Sequence, residues 1–138
     1  MKTFHLRVIS SDKIFYDGQC ENLILPIEDG QFSVLAHHEN MVVAVEIGEL
    51  HLKTPKGEWI TAAVSQGFAE IINNRVSVLV NAAERPEEID VKRAEEAKQR
   101  AEERLRHKQS LQEYYLSQAS LARAMARLKT SKHKHWNI

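Results

Sequence analysis

Only one cysteine, Cys20, occurs in the 138 residues, so no disulfide can close within the chain. Glycine (5) and proline (3) are scarce, and no glycine lies beyond Gly67. A stretch so poor in breakers can sustain long helices. No run approaches the roughly 20 apolar residues of a membrane-spanning helix, and the opening residues lack the apolar core of a secretory signal. A reducing, cytoplasmic setting is therefore expected. Acids stop at Glu113, leaving Arg123, Arg127, Lys129, Lys132 and Lys134 as the charges of the last stretch. Catalytic signatures are missing too: there is no Gly-x-Ser-x-Gly elbow, no Gly-x-x-x-x-Gly-Lys phosphate loop and no Cys/His arrangement with an orienting acid. No enzyme is expected from such a chain. With Trp136 alone near the basic end and no ladder of aromatics for stacking, no nucleic-acid partner is expected either.

What is present divides at Pro86. Residues 1–84 carry 6 Lys+Arg against 11 Asp+Glu, and residues 85–138 carry 13 against 8, so a module of net −5 precedes one of net +5. In the first module Phe4 to Val8 alternates apolar and polar, and short apolar runs recur through Val80, separated by turn signals every 8–12 residues. Turns are read at Asp17-Gly18, Glu28-Asp29-Gly30, Thr54-Pro55-Lys56-Gly57 and Asn73-Asn74. About eight short strands without helical periodicity predict an antiparallel β-sandwich or barrel. Beyond Pro86, whose fixed φ suits a first turn, Asp90 is placed to cap a helix. Ala94, Ala97, Ala101 and Leu105 line one side of that helix. After the polar break His107-Lys108-Gln109-Ser110, a second helix repeats Leu111, Tyr114, Gln118, Leu121, Met125 and Leu128 at steps of 3 and 4. The expected fold is α+β: a sandwich over 1–84 and an antiparallel two-helix hairpin over 85–138. A narrow, alanine-lined seam buries little apolar area against the entropy of ordering, so the hairpin is expected to rearrange easily.

Arg93 and Arg100 share one helical face, and Arg123 and Arg127 another, so folding the hairpin can gather guanidiniums whose forks suit phosphate oxygens. On spacing alone a solvated basic face explains them as well. His37-His38-Glu39 and His133-x-His135 have no metal-ligand spacing; adjacent residues of an extended segment point to opposite sides, and the second pair reads as polar tail. No metal site is expected.

Ala82-Ala83-Glu84-Arg85, Ile89-Asp90-Val91-Lys92-Arg93-Ala94, Val64 to Ile71 and Arg123-Ala124-Met125-Ala126-Arg127-Leu128 together resemble the epsilon subunit of bacterial F-type ATP synthase, nearly end to end. The resemblance implies a ten-stranded sandwich docked on the gamma stalk and the membrane rotor ring, peripheral to the cytoplasmic face of the cell membrane. It also implies a hairpin that is compact in one state and, in another, extends to the alpha/beta catalytic subunits and blocks ATP hydrolysis. In members that bind ATP the motif Ile/Leu-Asp-x-x-Arg-Ala is used with later arginines. Carried over, the ATP contacts are Glu84, Ile89, Asp90, Arg93, Ala94, Arg100, Arg123 and Arg127, with ATP a regulatory ligand and no cofactor required. The inhibitory contacts are Arg123, Arg127 and Lys129, and the stalk and ring contacts are Glu28, Asp29, Gly30, Gln31, Phe32 and His38. Ser33, Ala36, His37 and Asn40 depart from the family's Gly- and Pro-containing text in that loop, and Gln66 replaces a common Gly. A free-standing ATP-sensing module is the alternative, separable by co-purification with a gamma-like coiled coil.

Overall fold

The computed structural model describes residues 2–107 and 110–133. Its first half forms ten strands: β1 (Phe4–Ile9), β2 (Ile14–Cys20), β3 (Asn22–Ile27), β4 (Gly30–Leu35), β5 (Met41–Val45), β6 (Gly48–Lys53), β7 (Trp59–Val64), β8 (Gly67–Ile72), β9 (Arg75–Val80) and β10 (Ala83–Glu84). They build two five-stranded sheets, β2-β1-β9-β8-β5 and β10-β7-β6-β3-β4. The α+β sandwich expected from the pattern is the fold found. Among the described ladders β1–β9 alone is parallel; the others are antiparallel.

Two local expectations are corrected. Asp17 and Gly18 lie inside β2, paired with Arg7 and Leu6, and form no turn. The reversal falls earlier, where the Ser10 amide donates to the Lys13 carbonyl and the Ser10 hydroxyl to Asp12. This adds one strand to the eight expected, and the two-residue β10 adds the other. The remaining turns lie where they were read. Asn73 and Asn74 both take positive φ, +49° and +63°, as a two-residue hairpin between right-twisted strands requires. At Thr54–Gly57 the Gly57 amide donates to Thr54 and Gly57 holds φ +86°. Gly67 has a different reason: a Cβ there would stand 1.9 Å from the Leu79 carbonyl oxygen.

Alternating residues of the two sheets fill the space between them. Phe4, Leu6 and Val8 meet Leu23, Leu25, Leu50 and Leu52, all essentially without exposure. A 3-10 turn, Pro86–Glu88, then leads out of the sandwich. Glu88 accepts the Arg85 amide and pairs with Lys13 at 2.9 Å, which ties the exit to the β1–β2 loop and lowers the Glu88 pKa.

Two helices follow, α1 (Val91–Arg106) and α2 (Leu111–Ser131). Asp90 caps α1 by accepting the Arg93 amide, and Ser110 caps α2 by accepting that of Glu113. α1 packs chiefly on α2, and α2 lies across β6 and β7. The seam differs from the one expected. On α2 the buried side chains are Ser117, Ala124 and Thr130, whereas Leu111, Tyr114 and Met125 are exposed. On α1 they are Ala94 and Ala101, as the alanine pattern indicated. Helices this close leave no room for large side chains at the contact, so the small residues face inward. Of the large residues at steps of 3 and 4, Leu121 and Leu128 are half-buried beside this seam, while Leu111, Tyr114 and Met125 lie outside it.

Candidate functional site

The outer face of the second sheet explains how the hairpin is held. Ala63 of β7 pairs with Glu84 of β10 on one side and Glu49 of β6 on the other. Directly paired residues share a face, so the two carboxylates flank an alanine in one row, about 10 Å apart at two strand spacings. α2 lies over this row and supplies partners to both. Arg127 forms a forked pair with Glu84, Nε to Oε1 at 2.7 Å and an Nη nitrogen to Oε2 at 3.1 Å. Thr130, fully buried, donates its hydroxyl to Glu49 at 2.9 Å. His133 Nδ1 lies 2.8 and 3.1 Å from the two Glu49 oxygens, and Lys129 Nζ lies 3.7 Å from one of them.

Beneath Glu49, on the same strand face, His51 is buried and bonded through Nδ1 to the Thr61 hydroxyl at 2.9 Å. Its Nε2 is 3.9 Å from Glu49. Burial lowers its pKa from 6.5 to about 4, since the nearby carboxylate offsets only part of the desolvation. It is therefore neutral at physiological pH.

The carried-over ATP contacts fall into three groups. Glu84, Arg123 and Arg127 surround a cavity of about 40 Å³ that Ser65 also lines. The Ser65 hydroxyl is buried and has no hydrogen-bond partner among the described residues. A cavity that small admits a water molecule and not a nucleotide. Ile89 and Ala94 are buried and Asp90 serves as the helix cap, so these three shape the entry to α1. Arg93 and Arg100 are exposed, and Arg100 lines a separate open groove on α1 with Glu96, Gln99, Glu103 and Arg104. Folding thus gathers Arg123 and Arg127 at the sandwich and does not bring Arg100 to the same cavity.

The stalk and ring contacts carried over lie together. Glu28 and Asp29 form the exposed turn between β3 and β4, Gly30 and Gln31 open β4, and Phe32 stacks edge-on against His38 with ring centroids 5.5 Å apart. Next to it, His37 takes φ +65° and its amide donates to Asn74. Sequence reasoning missed Glu49, Thr130 and His133. His133, read as polar tail, is corrected here to a partner of Glu49, while His135 lies outside the described residues.

The family model of the ATP synthase delta/epsilon chain β-sandwich domain matches residues 3–86, and that of its long α-helix domain matches residues 87–132. The chain belongs to the ATP synthase delta/epsilon family. Among curated relatives, the ATP synthase epsilon chain of Ruminiclostridium cellulolyticum is 47% identical over 97% of this chain and 99% of its own. That of Caldanaerobacter subterraneus is 44% identical over 93% of each. The delta/epsilon fold also recurs at low identity. A chain in the cryo-EM structure of the Euglena gracilis mitochondrial ATP synthase superposes with a TM-score of 0.82 at 20% identity, covering 96% of this chain and 83% of that one. As a delta/epsilon chain, the protein is a non-catalytic subunit of the ATP synthase complex. No helix among the described residues is long and apolar enough to cross a membrane.

Proposed function

We propose that the chain works in the central stalk, coupling the catalytic head to the membrane ring on the cytoplasmic face of the cell membrane, and that its hairpin restrains ATP hydrolysis. The observation that carries this is the seat of α2. It rests on a row of two carboxylates and small or polar side chains, held by Arg127, Lys129, Thr130 and His133. A face that is polar on both sides separates at modest cost, because each group exchanges its partner for water. In the compact state Arg127 is occupied by Glu84 and Lys129 by Glu49. Once the helix leaves, those cations and Arg123 are free to meet acidic surfaces of the alpha and beta catalytic subunits.

The opposite sheet supports the stalk assignment. Its outer face exposes Val42, Phe68, Leu79 and Ile14, with Phe68 directly paired to Leu79 and Val42 66% exposed. Such a patch marks an interaction surface. The gamma stalk is its proposed occupant, and the Glu28–Gln31 segment with Phe32 and His38 is proposed to reach the ring.

ATP is proposed as the ligand of the compact state, its phosphates on Arg123 and Arg127 with the Ser65 hydroxyl as a further donor. Seating it requires the small cavity to widen while the hairpin stays folded on the sandwich, and preferential binding to that compact conformation then shifts the population toward it. The test is a calorimetric titration with ATP and separately ADP at fixed salt. The doubly substituted Arg123→Ala, Arg127→Ala chain is expected to bind ATP more than tenfold more weakly, about 1.4 kcal/mol. Equal affinity in that variant overturns the pocket.

A further inference from the structure

All three non-glycine residues with positive φ among the described residues, His37, Asn73 and Asn74, meet at one place, where the 36–40 loop passes the β8–β9 turn. Such backbone persists where the surroundings hold it, and an observed cluster of it points to a role. The loop carries the chain from β4 in the second sheet to β5 in the first. Its backbone bond from the His38 amide to the Leu35 carbonyl, 3.2 Å, is local. Two asparagine side chains tie it to the first sheet. Asn74 Oδ1 accepts the His37 amide at 2.6 Å, and Asn40 Oδ1 accepts the Asn73 amide at 2.9 Å. One bond is given by the loop and the other by the turn, so the two segments cannot part or slide without breaking both. Asn74 is itself anchored to the start of β1: its Nδ2 donates to the Thr3 carbonyl at 3.0 Å, and its carbonyl accepts the His5 amide at 3.3 Å.

We propose that Asn40 and Asn74 are positioning residues that brace the ring-facing side chains against the stalk-facing sheet, so that ring and stalk turn together through this chain. The proposal rests on the contacts proposed above for Phe32 and His38 with the ring and for the first sheet with the gamma stalk. His38 directly follows the braced His37, and its ring packs on Phe32. On the other side of the brace, Val42 lies just beyond Asn40 and Ile72 directly precedes Asn73, both exposed on the outer face of the first sheet. Without the two asparagines, force entering at His38 reaches that sheet only through the ends of the loop. Connecting segments with few contacts open most readily, so an unbraced loop bends before it transmits.

The test removes both side-chain bonds with Asn40→Ala and Asn74→Gly together; an Asn-Gly pair keeps the positive-φ turn, so the β8–β9 hairpin is retained. In hydrogen exchange on the full chain, the His37 and Asn73 amides of this double variant should lose protection roughly tenfold, about the worth of one hydrogen bond each. Amides inside β8 and β9, such as those of Ala69 and Val78, should not change. In the synthase reassembled in vesicles, ion pumping per ATP hydrolysed should fall. Asn74→Gly alone should show a smaller loss of the same kind. Asn74→Asp keeps the acceptor for His37, loses the donor to Thr3 and tolerates the turn, so pumping per ATP should stay native, a rescue that a general loss of stability does not give. His38→Ala is the control for the ring contact itself. Unchanged exchange of the His37 amide in the double variant, or a defect in Asn74→Asp equal to that of Asn74→Gly, overturns the brace. Native pumping per ATP in the double variant alongside a loss in His38→Ala overturns the brace and leaves the ring contact standing. Native pumping in both overturns the ring contact and the brace with it.

Discussion

His51 sits under α2 with 1% of its side chain exposed, and burial holds its pKa at about 4 against 6.5 when free. Between those values the unfolded chain takes up a proton that the folded chain refuses, so stability falls as pH drops below 6.5. The expected loss from pH 7 to pH 5 is on the order of 1–2 kcal/mol, read by urea denaturation of the sandwich. His51→Gln removes the titrating group, and the slope over that window should flatten even if the absolute stability changes. A slope equal to that of the native chain would show that another group carries it. Cys20 is a contrasting case: burial pushes its thiol up to about 11, and its Sγ donates to the Asn22 carbonyl. It acts as a small core residue, not as a nucleophile. Neither consequence is visible in the linear text. Glu49-x-His51-x-Lys53 reads as the wet side of a strand, and only a helix laid across it makes that face an interior.

Among the elements, β8 and β9 were the most legible, because Asn73-Asn74 supplies the positive-φ pair that fixes the hairpin register. β2 was less so. Asp17-Gly18 carries turn chemistry, yet Gly18 is held in the ladder by its pairing with Leu6, and tertiary context outweighed local preference. The cap of α1 followed from Asp90 and the helix lengths from the run without breakers, but the Ser110 cap, read only as part of a polar break, and the buried side of α2 did not. Ser117 and Ala124 face inward because the helices approach closely, whereas the periodicity of Leu111, Tyr114, Gln118, Leu121, Met125 and Leu128 picked out only two half-buried residues, Leu121 and Leu128. Enlarging the seam tests this assignment. Ala124→Leu, at a site only 2% exposed, should force α1 and α2 apart and make α2 readily cleaved by protease. The melting of the strands should shift little, within about 1 kcal/mol, since the core between the sheets is untouched. Unchanged protease resistance of α2 would mean that Ala124 does not lie at a tight contact.

At the scale of the whole molecule, the sandwich has one core and two unlike outer faces. The first sheet exposes Val42 and Phe68; the second carries carboxylates that the hairpin covers. A chain ending at residue 84 should therefore still fold, because removing the helices uncovers mainly polar or small side chains such as Glu49, Thr61 and Ala63. In the reassembled synthase such a chain should still bind the stalk, and ATP hydrolysis by the complex should rise. Loss of assembly on that deletion would contradict the proposed division of labour. The order of charge along the chain, −5 then +5, the strand and helix periods, the Asn73-Asn74 turn and the cap at Asp90 are local properties, and the sequence alone determined them. Pairing Glu84 and Glu49 across Ala63, burying His51 and choosing the small-residue side of α2 depend on residues up to 84 positions apart meeting in space. Those were decided by the tertiary structure, because desolvation and close packing act on what a side chain touches and not on its neighbours in the chain.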